Sequence, residues 1–446
     1  MAKLFGTDGI RGVANIELTC QLALKTGIAV TQVLIQENNN KPTIFIGKDP
    51  RISSDMIESA ILSGICAAGG TAISLGTVPT PAVAYLTKKH NTDAGIMISA
   101  SHNSFEFNGI KVFDKNGYKL SDEMEDKVEN IIQSEIKNLA INENIGKIIR
   151  DDSYLKEYVE YISRTVKLPE NNIKILVDCS NGASSFTAKE LFNSLNLKAN
   201  FIFNSPDGIN INEKCGSTNI ENMSKQVIEG KYDLGIAFDG DADRCLCIDE
   251  LGNIIDGDSI MGICADYMVS KNELKSNALV GTIMSNMGLK KFCKERNINF
   301  YETKVGDRHV LEKMIQDDYV LGGEQSGHTI FRNHSTTGDG QLTALKFIEV
   351  MLNTNKKASE LNSLIKKYPQ KSIAINIQSA QKGLLAQNET IKNYVENLEA
   401  ELGENGRIVV RESGTEPKIR IMVECNDTEK IDILLKDISE FISKNI

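Results

Sequence analysis

A chain of 446 residues, 41% apolar and 25% charged, has the make-up of a globular protein and is too long for a single core. Its formal net charge of −10 excludes a broad nucleic-acid face, which needs a basic surface, but leaves room for a local Arg/Lys cluster around a small phosphorylated ligand. The nine cysteines form no CxxC pair and no Cys/His metal spacing, so they read as reduced, mostly buried thiols.

The opening MAKLFGTDGIRG has charges and glycines where a signal peptide needs an apolar core. No apolar run approaches the roughly 18 residues of a membrane span, so a cytoplasmic protein with no membrane partner is expected. Within that opening, FGTDGIRG is a glycine-rich loop ending on one cation, Arg11. A helical pattern from about Leu18 to Ile35 is followed by an apolar strand at Thr43 to Gly47. Ser53 or Ser54 caps a second helix, Thr71 to Val78 is a strand, and a short helix after Pro79 leads to the run Ala94 to Ile98. This β-α-β-α-β succession predicts a largely parallel sheet with helices on its faces. The last strand stops at Ser99-Ala100-Ser101-His102-Asn103, and a serine at the carboxyl end of such a strand sits where open α/β sheets present ligands. Lys111 follows within reach of the same space. An acidic, polar segment from Ser121 to Asn144 closes this first unit.

The pattern then restarts. Strands are expected at Ile173–Asp178, Ala199–Phe203 and Tyr232–Phe238, with helices at Ser184–Leu195 and Asn219–Glu229. A third round has helices at Ser259–Ser270, Leu289–Arg296 and Arg308–Gln316, and strands at Ala278–Ile283, Ile298–Thr303 and Tyr319–Leu321. The strand ends DAGIMISASHN, YDLGIAFDGDAD and DDYVLGGEQSGH each show an acidic residue, a short apolar run and a polar loop, which reads as a threefold internal repeat. The tail from about Gln370 has a different rhythm and reads as a small α+β unit.

Three of these loops and one in the tail carry chemistry. Asp239, Asp241 and Asp243 alternate, and three close carboxylates repel unless a divalent cation joins them. An EF-hand also begins D-x-D-x-D, but Arg244 takes the place of its glycine and strands flank the loop. Oxygen ligands in an unclosed site suggest Mg²⁺. Glu324 and Ser326 lie among three glycines, suited to close contact with sugar hydroxyls, and His328 is either a proton donor or a hydrogen-bonded core residue. Arg411, Ser413, Gly414 and Thr415, with Arg420 beyond, offer the hydroxyls, backbone N–H groups and guanidiniums that a phosphate dianion takes. A nucleophilic serine, a metal loop, a sugar loop and a phosphate loop together suit phosphoryl transfer.

SASHN with NGIK, DGDADR, GGEQSGH and RESGTEP, in this order after FGTDGIRG, resemble the α-D-phosphohexomutase superfamily over nearly the whole chain. The resemblance implies an α/β protein of three similar mixed-sheet domains and a smaller C-terminal α+β domain around a central cleft, divided at 1–150, 151–252, 253–368 and 369–446. It implies that Ser101 is phosphorylated and passes its phosphoryl group to a hexose phosphate by way of a 1,6-bisphosphate. Mg²⁺ is then held by Asp239, Asp241, Asp243 and the serine phosphate. Arg11, Lys111 and Arg244 stand near the transferring group, with Lys111 a candidate general base. Glu324 and Ser326 hold sugar hydroxyls, and Arg411, Ser413, Gly414, Thr415 and Arg420 grip the other phosphate.

The FGTDGIRG and GEQSGH forms look most like the bacterial branch acting on glucosamine phosphates, on the route to UDP-N-acetylglucosamine; mannose or glucose phosphates are the alternative. The partners implied are the hexosamine phosphate and a hexose 1,6-bisphosphate activator, in a monomer or homodimer. The sequence departs from the pattern at Ser104, where proline is usual, and at Ala242, where glycine is common. An aspartyl phosphatase using the Asp239–Asp243 loop leaves the serine loop unexplained, and a silent binding protein leaves the reacting side chains without use.

Overall fold

Short apolar runs become strands and the 3.6-spaced segments helices in the computed structural model, which describes residues 4–446 except Thr7, Asn39, Ser379, Ala380, Lys382 and residues 413–416. The first stretch contains β1 (Ile10–Val13), α1 (Cys20–Asn38), β2 (Thr43–Lys48), α2 (Ser54–Ala67), β3 (Thr71–Thr77), α3 (Thr80–Lys89), β4 (Ala94–Ile98), β5 (Phe107–Asp114), α4 (Asp122–Gln133) and β6 (Lys147–Arg150). Helix α5 (Tyr154–Ser163) leads to β7 (Lys174–Asp178), α6 (Ala188–Ser194), β8 (Lys198–Ile202), α7 (Glu221–Gly230), β9 (Leu234–Phe238), β10 (Cys245–Asp249) and β11 (Ile254–Ile255). The third stretch contains α8 (Gly257–Ser270), β12 (Ala278–Thr282), α9 (Met287–Glu295), β13 (Asn299–Thr303), α10 (Asp307–Gln316), β14 (Leu321–Gly323), β15 (Thr329–Phe331), α11 (Gly340–Thr354) and α12 (Ala358–Asn362). The last contains β16 (Gln370–Asn376), α13 (Glu389–Leu402), β17 (Gly406–Glu412), β18 (Lys418–Cys425) and α14 (Thr428–Asn445).

The threefold repeat is in the pairing. β2 lies between β3 and β4, parallel to both, and β5 returns antiparallel on β4. β7 stands in the same way between β8 and β9, with β10 antiparallel on β9. β12 repeats it between β13 and β14, with β15 antiparallel on β14. In every unit the third strand enters a loop and returns as the fourth. The Ser101, Asp239–Asp243 and Glu324–His328 loops occupy this one topological position. The sheets are therefore mixed, where β-α-β succession alone suggested mostly parallel ones: the reversing strands β5, β10 and β15 follow loops rather than helices.

Two local features shape the first sheet's faces. Gly27 of α1 and Gly64 of α2 let the helices meet backbone to backbone, since a Cβ on Gly64 would lie 2.2 Å from the Leu24 carbonyl oxygen. The acidic stretch after Ser121 forms α4, capped by the Ser121 hydroxyl on the Met124 amide at 3.3 Å and burying Val128 and Ile132. One apolar core runs through all three sheets, from Phe45 through Phe192 and Phe238 to Phe347. The antiparallel sheet β16-β18-β17 has its own core with α13 and α14, and docks through polar contacts: Arg407 donates to the Ile283 carbonyl at 2.8 Å, and Glu424 accepts from the Met287 amide at 2.8 Å.

Asp258, at the start of α8, accepts from the Asn286 amide at 2.7 Å, while its Oδ1 is buried without a partner. Burial, then the neighbouring Asp256, pushes its carboxyl up from 3.8 to about 7. A raised folded-state value means that its stabilising neutral form is complete below the unfolded value and is lost as pH rises through about 7. Charging it costs about 4 kcal/mol. Asp258→Asn should therefore raise the melting temperature at about pH 8 by several degrees, and the gain should shrink toward pH 4. A gain independent of pH in scanning calorimetry would sink this account.

Candidate active site

The serine loop is built by a strand that must stop. β4 is buried along its whole length, and the chain turns at Ser99-Ala100-Ser101 with Ser101 in the left-handed region, φ 53°. For a non-glycine residue that conformation costs about 1–2 kcal/mol, so surrounding groups must hold it. The Ser101 hydroxyl, on a residue 1% exposed, donates to Asp239 Oδ2 at 2.6 Å. Asp239, Asp241 and Asp243 are all buried, with ligand oxygens within 4.8 Å of one another. Ala242, between them, also has a left-handed φ of 57°, which is why glycine suits that position.

The first unit supplies the cations facing this triad. Lys111 Nζ, on a side chain 1% exposed, lies 2.8 Å from Asp241 Oδ2 and 3.3 Å from both Asp243 Oδ2 and Asp8 Oδ2. Thr80, at the head of α3, donates its hydroxyl to Asp241 Oδ2 at 2.6 Å. Arg11 pairs with Asp8, and Lys119 joins Asp8 to Asp307 of the third unit, the latter at 2.6 Å. Arg244 sits 4.0 Å from Asp239 and 3.9 Å from Asp243.

These neighbours divide the titrations. Burial, then Asp243 and Asp241, holds the Asp239 carboxyl well above its usual range. Asp243 is held well below that range: burial opposes ionisation, but Lys111 and His328 outweigh it. For Lys111 burial again works against the charge, and Asp241, Asp8 and Asp243 override it, holding the ammonium well above its ordinary value. Its three carboxylate partners thus favour the charged form of Lys111. His102, next to Ser101 in the SASHN motif, is pushed down to about 4 by burial and by Arg244 and Arg11. Its Nδ1 stands 3.5 Å from Ser101 Oγ, within reach of a proton moving there.

His328 is buried beside the metal loop. It is 3% exposed, with Nδ1 3.7 Å from Asp243 Oδ2 and Nε2 facing the Gly338 amide at 3.0 Å. Burial lowers its basicity, but Asp243 and Asp307 outweigh this and raise it. Glu324 accepts from the Gly306 amide at 3.0 Å and lies close enough to Arg244 and Arg411 to bias both. Ser326 is exposed at the loop tip. Arg411 and Arg420 face each other across β17 and β18, a like-charge pair that an anion between them would relieve. Burial, then Arg420, lowers the Arg411 value. Ser413, Gly414 and Thr415 lie outside the described residues.

The orphaned atoms indicate what the site takes. Asp241 Oδ1 and Asp243 Oδ1 are buried without hydrogen-bond partners, as are Nε of Arg11, Arg244 and Arg411. Buried polar atoms are nearly always satisfied, so such a set marks a site for a cation and anionic groups. Three carboxylate oxygens this close fit a divalent cation.

A serine hydroxyl at a strand end, a buried carboxylate triad and guanidiniums on three separate units define an enzyme of phosphoryl transfer to and from serine. The chain belongs to the phosphoglucomutase/phosphomannomutase family: residues 2–139, 152–252 and 256–368 match its alpha/beta/alpha domains I, II and III, and residues 373–441 its C-terminal domain. The phosphoglucosamine mutase of Clostridium botulinum (strain Loch Maree / Type A3) is 45% identical over 449 residues, covering 100% of both chains. That of Clostridium acetobutylicum is 46% identical over 446 residues, covering 100% of this chain and 99% of its own. A phosphoglucomutase/phosphomannomutase family protein from Burkholderia thailandensis shares the fold with TM-score 0.81 at 21% identity, over 98% of this chain and 95% of its own.

Proposed function

We propose that this chain interconverts glucosamine 6-phosphate and glucosamine 1-phosphate through phosphorylated Ser101 and a 1,6-bisphosphate, on the cytoplasmic route to UDP-N-acetylglucosamine. The observation that carries this reading is the Ser101 hydroxyl 2.6 Å from Asp239, at the edge of the triad. The two full-length phosphoglucosamine mutase relatives support the choice of sugar. Of the four units, 1–150, 151–252, 253–368 and 369–446, the first three carry the Ser101, Asp239–Asp243 and Glu324–His328 loops at one topological position.

Asp239, Asp241 and Asp243, with the serine phosphate, would hold Mg²⁺, which neutralises charge on the transferring phosphoryl group. Lys111, Arg11 and Arg244 add fixed positive charge beside Ser101. The sugar's 1-hydroxyl oxygen bonds to phosphorus as the bond to Ser101 Oγ breaks. His102 takes the hydroxyl proton and returns it to Ser101 Oγ. The bisphosphate then reorients, and Ser101 Oγ attacks the 6-phosphoryl group by the same steps in reverse. Glu324 and Ser326 bind sugar hydroxyls meanwhile, and Arg411 and Arg420, with Ser413, Gly414 and Thr415, hold the idle phosphate. A hexose 1,6-bisphosphate serves as activator of a monomer or homodimer.

The test is kcat/KM for glucosamine 6-phosphate, mannose 1-phosphate and glucose 1-phosphate, each with Mg²⁺ and a hexose 1,6-bisphosphate. The amino sugar should lead by about 10-fold or more. A lead for mannose or glucose would keep the mechanism and overturn the substrate.

A further inference from the structure

Ser101 is held by residues that none of the proposed reaction steps uses. Arg51, three residues past the end of β2, has a fully buried side chain paired with equally buried Asp49, Nε to Oδ2 at 2.9 Å. One terminal nitrogen donates to the carbonyls of Ser101 at 2.8 Å and Asn103 at 2.9 Å. The other donates to the carbonyls of Ser104 and Phe107, the latter at 3.1 Å. All five guanidinium N–H donors are thereby used, four of them on the serine loop. From the second unit, Asn212 Nδ2 donates to the same two carbonyls, Ser101 at 3.0 Å and Asn103 at 2.9 Å. The loop is thus gripped from both sides at two shared oxygens.

The grip extends to the hydroxyl's direction. Asp49 Oδ2 accepts from Ser99 Oγ at 2.6 Å, and Ser99 Oγ accepts the Ser101 amide at 2.8 Å. Both backbone polar groups of Ser101 therefore trace back to the Arg51–Asp49 pair. Gly240 of the metal loop closes against the same carbonyl, since a Cβ there would stand 2.6 Å from the Ser101 oxygen and 2.9 Å from Asn212 Nδ2. We propose that Arg51 and Asn212 form a clamp that holds Ser101 in its left-handed turn with Oγ on the metal loop, which makes them positioning residues for phosphoryl transfer. The proposal rests on Ser101 being the transferring group. It also accounts for a firm loop with Ser104 in place of a ring: the Ser104 carbonyl is itself one of the gripped oxygens.

Arg51→Lys keeps the charge but has three donors where five are used. It should lower kcat about 100-fold with little change in KM for the sugar phosphate, because a misplacement near 1 Å costs that much in rate. Phosphorylation of Ser101 by a hexose 1,6-bisphosphate, followed by peptide mass spectrometry, should slow by the same factor. Asn212→Ala removes the second-unit half alone and should cost about 10-fold in both measurements, which keeps the test open if Arg51→Lys fails to fold. A lower melting temperature with wild-type turnover per folded, phosphorylated molecule in either variant would overturn the clamp. Wild-type enzyme that turns over without phosphate on Ser101 would overturn the reading beneath it, and the clamp with it.

Discussion

Ser101→Ala should reduce mutase turnover by about 10⁴-fold or more, since it removes the hydroxyl proposed to carry the phosphoryl between the two halves of the reaction. The fold should tolerate the change. Alanine loses the 2.6 Å hydrogen bond to Asp239, worth about 1 kcal/mol, and the 3.5 Å contact to His102 Nδ1, and leaves the backbone clamp untouched. The triad keeps its carboxylates, so stabilisation by Mg²⁺ in a thermal shift assay should persist in the variant. An aspartyl phosphatase would stay largely active after the same change. Wild-type turnover with unaltered metal response would remove Ser101 from the mechanism.

Lys111→Met should have the largest combined effect. The ammonium lies within 3.3 Å of carboxylate oxygens of Asp8, Asp241 and Asp243, all of which lose their shared cation. Breaking a buried pair in this way costs about 3–5 kcal/mol. Because the folded-state value of Lys111 is raised, its contribution is complete below the ordinary lysine value and is lost only as pH rises through the higher one, so it is present in full at neutral pH. Turnover should fall about 10²–10⁴-fold through lost charge stabilisation. Mg²⁺ should stabilise the variant more than the wild type, since a bound cation does part of the work of Lys111. A variant that melts with the wild type in the absence of metal would show that the ion-pair cluster contributes nothing.

The serine and metal loops were legible in the sequence because an abrupt change from apolar to polar residues marks a strand end whatever surrounds it. The three-unit plan was legible for the same reason; its mixed sheets came with the family resemblance, while the β-α-β succession alone pointed to largely parallel ones. The reversing strand Phe107–Asp114 contains Asn108, Gly109 and Lys111, weak strand formers, and it is held as a strand by its pairing with β4 and β1. Helix α4 is rich in acidic residues, of which Asp122, Glu123 and Asp126 are exposed while Glu125 and Glu129 are buried. The ion pairs of Lys111 were hidden because its partners lie 103, 130 and 132 residues away by difference in numbering (Asp8, Asp241, Asp243), which no local pattern reveals. Arg51 and Asn212 were invisible for a related reason: they act on backbone carbonyls, and a carbonyl has no side-chain signature.

The most direct measurement of the central claim is a single turnover. Enzyme carrying a labelled phosphoryl group on Ser101, freed of excess bisphosphate, is mixed with glucosamine 6-phosphate and Mg²⁺ and quenched over time. The label should leave the protein in one phase and appear in the bisphosphate, then in hexosamine monophosphate and back on Ser101. Label that stays on the protein while product forms, or that is released only as inorganic phosphate, would contradict a phosphoserine mutase.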